Sequence, residues 1–231
     1  MAKIFSTKDN LQVLFEDNHL IVVNKRVGDI VQGDKTGDKP LSDVVKAYIK
    51  AKYNKPGNVY LGVVHRLDRP TSGLVIFAKT SKALERMNAM FRDKTIEKTY
   101  IAICQKAMIK PKATLVNYLR KNPKNNKSTA FDKEIAGSKR AVLHYEVIKE
   151  LDNYLVLQIA LETGRHHQIR SQLSKVGAKI KGDLKYGASR SNKDGGIHLH
   201  AREISFMHPV KKEPITIAAP FPNDVLWDTI L

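Results

Sequence analysis

Residues 62–80, Gly62-Val-Val-His-Arg-Leu-Asp-Arg-Pro-Thr-Ser-Gly-Leu-Val-Ile-Phe-Ala-Lys-Thr80, constrain the fold of this chain more than any other stretch. An apolar run from Val59 to Val64 leads into His65, Arg66 and Asp68. A turn follows at Arg69-Pro-Thr-Ser-Gly73, and a second apolar run spans Leu74 to Ala78. Two such runs around a Pro/Gly turn predict neighbouring strands, with the charged cluster in the corner between them. Corners held on a rigid sheet are where catalytic side chains concentrate. An Asp before such a turn can equally cap its own backbone. The rest of the chain has to separate the two readings.

The 231 residues suffice for a sizeable core, as one large domain or two small lobes. Lys+Arg number 40 against 23 Asp+Glu, a net charge of +17. Such an excess points to a polyanionic partner, with nucleic acid first and an anionic membrane second. No stretch approaches the ~20 apolar residues of a membrane span, and Met1 to Asn10 lacks the apolar region of a signal peptide. The single cysteine, Cys104, lies in the apolar run Tyr100-Ile-Ala-Ile-Cys104 and has no disulfide partner. A reducing, cytoplasmic setting and a core role for Cys104 are expected.

Along the chain, Leu11–Phe15 and Leu20–Asn24 read as short strands. Leu41, Val44, Val45, Tyr48 and Ile49 recur at helical spacing, with Pro40 suited to the first turn. Thr80 or Ser81 can cap a helix carrying Leu84, Met87 and Phe91 on one face. Ile96 to Cys104, Ala141 to Ile148, Tyr154 to Leu161, His198 to Phe206 and Ile215 to Ala218 read as strands. Ile169, Leu173 and Val176 mark a helix closed by Gly177, and a short helix follows Pro222. The stretch Leu119-Arg-Lys-Asn-Pro-Lys-Asn-Asn-Lys-Ser-Thr129 is polar and basic, an exposed hairpin or loop. Lys121, Lys124 and Lys127 make it either a phosphate-contacting arm or a solvated linker. Strands and helices mix without a steady βαβ rhythm, which favours α+β with a largely antiparallel or mixed sheet.

A second polar cluster, Leu161-Glu-Thr-Gly-Arg-His-His-Gln-Ile-Arg170, opens the helix carrying Ile169 and Leu173. Arg170 lies four residues after His166, so the two are expected on one stripe. The adjacent His166 and His167 are expected to diverge. With no Cys or carboxylate cluster to complete a ligand shell, no metal is expected. No Gly-X-Ser-X-Gly elbow accompanies Ser72 and His65. A glycosidase normally needs two carboxylates with separated roles, whereas here one Asp stands among basic residues. A neighbouring arginine would keep it ionised, which suits a nucleophile better than a general acid.

His65-Arg-Leu-Asp-Arg-Pro-Thr-Ser-Gly73 resembles the signature of the RluA-type RNA pseudouridine synthases. Further blocks resemble the family: Leu14-Phe-Glu-Asp-Asn-His-Leu-Ile-Val-Val-Asn-Lys25, Glu97-Lys-Thr-Tyr100, Thr163-Gly-Arg-His-His-Gln-Ile-Arg170, Gly182-Asp-Leu-Lys-Tyr-Gly187, Leu199-His-Ala201 and Phe206-Met-His-Pro209. They run in the family's order from about residue 11 to residue 220. The resemblance implies isomerisation of uridine to pseudouridine in ribosomal or transfer RNA, without a cofactor. It also implies a mixed, largely antiparallel sheet bent around a central cleft with flanking helices.

Asp68 matches the family's nucleophile. Tyr100 matches the tyrosine that stacks on the base and helps take the carbon-5 proton, and Arg170 the arginine that pairs with the aspartate. Arg66 matches the arginine that fills the RNA helix where the base has flipped out. Base flipping costs a few kcal/mol, which such filling offsets in part. His65, Arg165, Lys121, Lys124 and Lys127 are the further residues expected to contact RNA. The chain departs from the pattern at Lys25-Arg-Val-Gly28, where Lys-Pro-Ala-Gly is usual, and at Ser171-Gln172, where Val-His is usual. Residues 1–10 are expected to be a tail and 11–231 the catalytic domain, without the S4-like RNA-binding domain many members carry. A monomer is expected. The other class of function compatible with the charge is a non-catalytic RNA-binding or ribosome-assembly factor on the same scaffold.

Overall fold

The computed structural model describes residues 4–34 and 36–230. In chain order its first elements are β1 (Val13–Glu16), β2 (Leu20–Lys25), α1 (Leu41–Lys52), β3 (Gly62–Val63), β4 (Ser72–Ala78), α2 (Ser81–Arg92) and β5 (Glu97–Gln105). There follow β6 (Lys112–Asn122), β7 (Lys127–Phe131), β8 (Lys139–Glu150), β9 (Tyr154–Leu161), α3 (Gln168–Lys175), β10 (Leu199–Met207), β11 (Pro214–Ala218) and α4 (Val225–Asp228). The class is the expected α+β, and every strand pair whose register is described is antiparallel. No helix among the described residues is long and apolar enough to cross a membrane.

The chain forms two compact units. One runs up to Ile96 and takes in Ala201–Pro222; the other comprises Glu97–His200 and the residues from Asn223 on. In the first unit the strands order β1-β2-β4-β10, with β3 on β4 and β11 on β10. Every residue of β2 and of β4 is buried, so these strands read as continuous apolar runs with no alternation. Ile21, Val23, Val75 and Phe77 pack against Leu41, Val44, Val45 and Ile49 of α1. Full burial of side chains this size stabilises by about 1.5–3 kcal/mol each. Pro40 is the N-cap of α1 and not its first helical residue, while Thr80 caps α2 by accepting from the Ala83 amide at 3.2 Å.

Of the expected tail, residues 1–3 lie outside the described residues, but 4–10 are docked. The Ser6 amide and hydroxyl donate to the buried Asp29 carboxylate at 3.1 and 2.6 Å, and an Arg26 guanidinium nitrogen donates to the Asn10 carbonyl at 3.1 Å.

In the second unit the strands order β5-β9-β8-β6-β7. Its core joins Ala102, Cys104, Leu143, Leu157 and Ile159 to Ile169 and Leu173 of α3. Burial pushes the Cys104 thiol pKa well up, as a core cysteine requires. The basic stretch after Leu119 is a hairpin: β6 and β7 pair from Tyr118↔Phe131 to Asn122↔Lys127, and Asn126 supplies the left-handed turn residue at φ 49°.

Candidate active site

Asp68 lies in the loop between β3 and β4 and is half-buried, while Arg66 is exposed. Both ends of this loop are pinned. His65 accepts a hydrogen bond on Nε2 from the Ile76 amide at 3.1 Å and stacks on Phe91 at 5.1 Å. That bond places the proton of a neutral ring on Nδ1. Beyond Asp68, the Thr71 amide donates to the Asp68 carbonyl at 3.0 Å. Gly73 closes the turn at φ 113°, and a Cβ there would collide with the backbone of Ala201 on β10. Only glycine fits the conformation and the space.

Beneath the loop lies Lys25, 1% exposed. Its ammonium donates to the carbonyls of Arg26 (2.9 Å), Asp29 (2.8 Å) and Arg69 (3.2 Å). Burial pulls its pKa down to about 7, against the opposing pull of the Asp29 and Asp68 charges. The Gly28 amide donates to the same Arg69 carbonyl at 2.9 Å. The Arg69 guanidinium donates to Asp38 at 2.6 Å and to Thr36 at 2.9 Å. Arg69 therefore serves to hold the loop, and Lys25 anchors it from beneath through the Arg69 carbonyl. The sequence reading took Lys25-Arg-Val-Gly28 only as a departure from the family pattern and missed that role. A lysine ending an otherwise apolar strand was the available signal.

In the second unit Tyr100 is half-buried on β5, opposite Ile159 of β9, and packs on the core. Arg170 on α3 is buried, with Nε 2.7 Å and a terminal nitrogen 2.8 Å from the two carboxylate oxygens of Asp183. The two side chains are 5% and 1% exposed. A bidentate pair of this kind fixes the plane of the guanidinium as well as its charge. Asp183 follows Gly182, at φ 88°, where a Cβ would press on Asn192 and the Gly196 carbonyl at 2.7 Å. The block Gly182-Asp-Leu-Lys-Tyr-Gly187 was legible in sequence, but the pairing of Asp183 with Arg170 was not.

Arg165 is exposed and donates from Nε to the Arg140 carbonyl at 3.1 Å. Gln168 organises the turn before α3, accepting from Thr163 Oγ1 (2.8 Å) and the Arg165 amide (3.0 Å). The expectation that His166 shares a helical stripe with Arg170, and that His166 and His167 diverge, is corrected. His167 is the N-cap of α3 in the left-handed region (φ 52°, ψ 30°), so His166 precedes the helix. The rings stack at 3.8 Å, because the left-handed residue bends the chain where a helix would splay them. Lys121 and Lys124 are exposed on the β6–β7 hairpin. Lys127 differs from them: its ammonium sits 5.0 Å from the ring centroid of Tyr186.

Residues 19–175 match the family model described as RNA pseudouridylate synthase. The chain is 32% identical over 229 residues to ribosomal large subunit pseudouridine synthase D of Zymomonas mobilis, covering 93% of this chain and 70% of that protein. It is 31% identical over 219 residues to the uncharacterized RNA pseudouridine synthase YlyB of Bacillus subtilis, covering 94% and 71%. Among solved structures, human RNA pseudouridylate synthase domain containing 4 superposes with a TM-score of 0.78 at 21% identity, over 95% of this chain and 92% of that one. That likeness bears on the fold alone.

Proposed function

This chain belongs to the RluA-type RNA pseudouridine synthases, and from that premise we propose that Asp68 is its nucleophile, with Tyr100 and Arg170 as the other reacting residues. The reaction class follows from the family: uridine in RNA is isomerised to pseudouridine. The N-glycosidic bond breaks, the base turns while held, and carbon 5 bonds to the ribose. Carbon 5 loses a proton and the freed ring nitrogen gains one, so the balance needs no outside reagent.

The observation that carries Asp68 is its setting. The loop is pinned at His65, Thr71 and the Arg69 carbonyl, the last by Lys25 buried beneath it. A carboxylate that must meet a sugar carbon in a defined geometry needs such preorganisation. Tyr100 is read as the wall for the detached base and an aid to removing the carbon-5 proton. Arg170, oriented by Asp183, is read as the cation that holds the carboxylate. Arg66 is read as filling the place of the flipped uridine, with His65, Arg165, Lys121, Lys124 and Lys127 supporting RNA contact. The substrate we favour is ribosomal RNA, since the relatives of assigned role are named for the large ribosomal subunit. Transfer RNA is the alternative.

Two measurements test this. Asp68→Asn should abolish pseudouridine formation and leave RNA affinity within a few-fold; retained activity would sink the nucleophile assignment. Pseudouridine mapping of total RNA from cells with and without the protein identifies the target, and a missing modification in transfer RNA alone would overturn the ribosomal reading.

A further inference from the structure

Tyr186 is buried, 4% exposed, where three parts of the second unit meet. Its hydroxyl donates to the Ser128 carbonyl at 3.1 Å, accepts from the Ser128 amide at 2.8 Å, and lies 3.0 Å from Nδ1 of His167. A phenol has one proton, so donation to Ser128 makes the His167 nitrogen the donor. The Arg170 guanidinium carbon and the Lys127 ammonium each lie 5.0 Å from the centroid of the same ring, within cation–π range.

Each of these partners has a consequence. Ser128 is the second residue of β7, the return strand of the basic hairpin, and its Oγ bonds Nδ1 of His166 at 2.8 Å. At the hairpin tip, Lys185, the neighbour of Tyr186, reaches the carbonyls of Asn125 and Asn126 at 3.2 and 3.3 Å. His167 is left-handed at the mouth of α3, a conformation that a non-glycine residue keeps only when its surroundings over-determine it. Arg170 is in the first turn of that helix, and Asp183, which grips it, is three residues before Tyr186.

We propose that Tyr186 is a positioning residue for Arg170, which anchors the basic β6–β7 hairpin and the guanidinium to one point so that RNA held by the hairpin sets the arginine in its working orientation. This rests on the reading of Arg170 as a reacting residue. The hydroxyl links the hairpin backbone to His167, and the ring contacts the arginine. Loosening either link uncouples Arg170 from the hairpin while the Asp183 pair stays in place, and removes no charge that RNA itself could contact.

The test uses the full chain with RNA from cells lacking it as substrate, comparing single-turnover pseudouridine formation at saturating RNA with RNA affinity. Tyr186→Phe should slow the saturated rate about tenfold or more, with affinity within about threefold. Lys121→Ala with Lys124→Ala should slow the saturated rate in the parent chain and add nothing in the Tyr186→Phe background. His167→Gly is the second variant, because glycine adopts the left-handed backbone freely and has no side chain to bond Tyr186; it should show the same loss. It decides the matter if Tyr186→Phe fails to fold. A parental rate in Tyr186→Phe with only a lower unfolding midpoint, or additive effects with the lysines, overturns the proposal while an inactive Arg170→Ala leaves the reading of Arg170 standing. An active Arg170→Ala overturns both.

Discussion

The Lys25 ammonium donates to the main-chain carbonyl of Arg69 at 3.2 Å, one residue past Asp68. Lys25→Met removes a donor from three carbonyls, of which that of Arg69 keeps the Gly28 amide and that of Arg26 the Asp29 amide; the Asp29 carbonyl loses its donor, at a cost of about 1–3 kcal/mol offset in part by relief of the buried charge. We expect a lower unfolding midpoint and a rate reduced about tenfold, with RNA affinity retained. The pH dependence has a definite sign. The folded pKa of about 7 lies below the ordinary 10.5, so between those values the unfolded chain holds a proton that the folded chain has shed. Stability from this group therefore rises with pH across that window. Urea unfolding at several pH values should show a slope that is smaller in Lys25→Met; an identical slope in both proteins would remove Lys25 as a source of it.

Asp183→Asn keeps the shape of the buried pair with Arg170 and removes its charge. Breaking one partner of such a pair costs about 3–5 kcal/mol, because the other charge stays buried and uncompensated. The variant should unfold earlier and lose most of its single-turnover rate. If denaturant titration and rate both match the parent, Asp183 is not what holds Arg170.

Glu16 tests a feature away from the proposed chemistry. Its carboxylate, 7% exposed, lies between the Lys52 ammonium at 2.7 Å and the Lys79 ammonium at 2.8 Å, with the Tyr53 hydroxyl donating at 2.9 Å. Burial alone would push its pKa up, but these donors outweigh it and bring the group down to about 2 from 4.5. The stabilisation is present above pH ~4.5 and is lost as the pH falls toward ~2. Glu16→Gln should be destabilised near neutrality, and its difference from the parent should shrink with acidification. A difference constant from pH 6 to pH 3 would contradict the assignment.

Lys121 and Lys124 project from the hairpin, whereas Lys127 turns to Tyr186. Replacing the first two with alanine should weaken RNA binding and flatten its salt dependence by up to about one slope unit per lost phosphate contact. Lys127→Ala should change the slope less and stability more. Equal slopes in the parent and the double variant would mean that the hairpin does not touch phosphate.

Much of the architecture was legible because periodicity and punctuation are local. The apolar runs of β2 and β4, the face of α1, the Thr80 cap and the basic hairpin all appear in the order of residues. β6 was obscured because its outward Lys112 and Thr114 and its buried polar Asn117 break up the apolar signal, while the apolar Val116 faces outward. The left-handed His167 was missed since nothing in His166-His167 marks it; it depends on a hydroxyl 19 residues away.

By itself the sequence determined the reaction class and the position of Asp68, because signature residues and the turn that presents them are contiguous. Only the tertiary structure decided that Lys25 underlies the Asp68 loop, that Asp183 grips Arg170 and that Tyr186 joins the hairpin to α3. Those relationships are hydrogen bonds and ion pairs between residues 13 to 58 positions apart. A buried polar group must find a partner wherever folding brings one within about 3 Å, and the order of residues does not carry that distance.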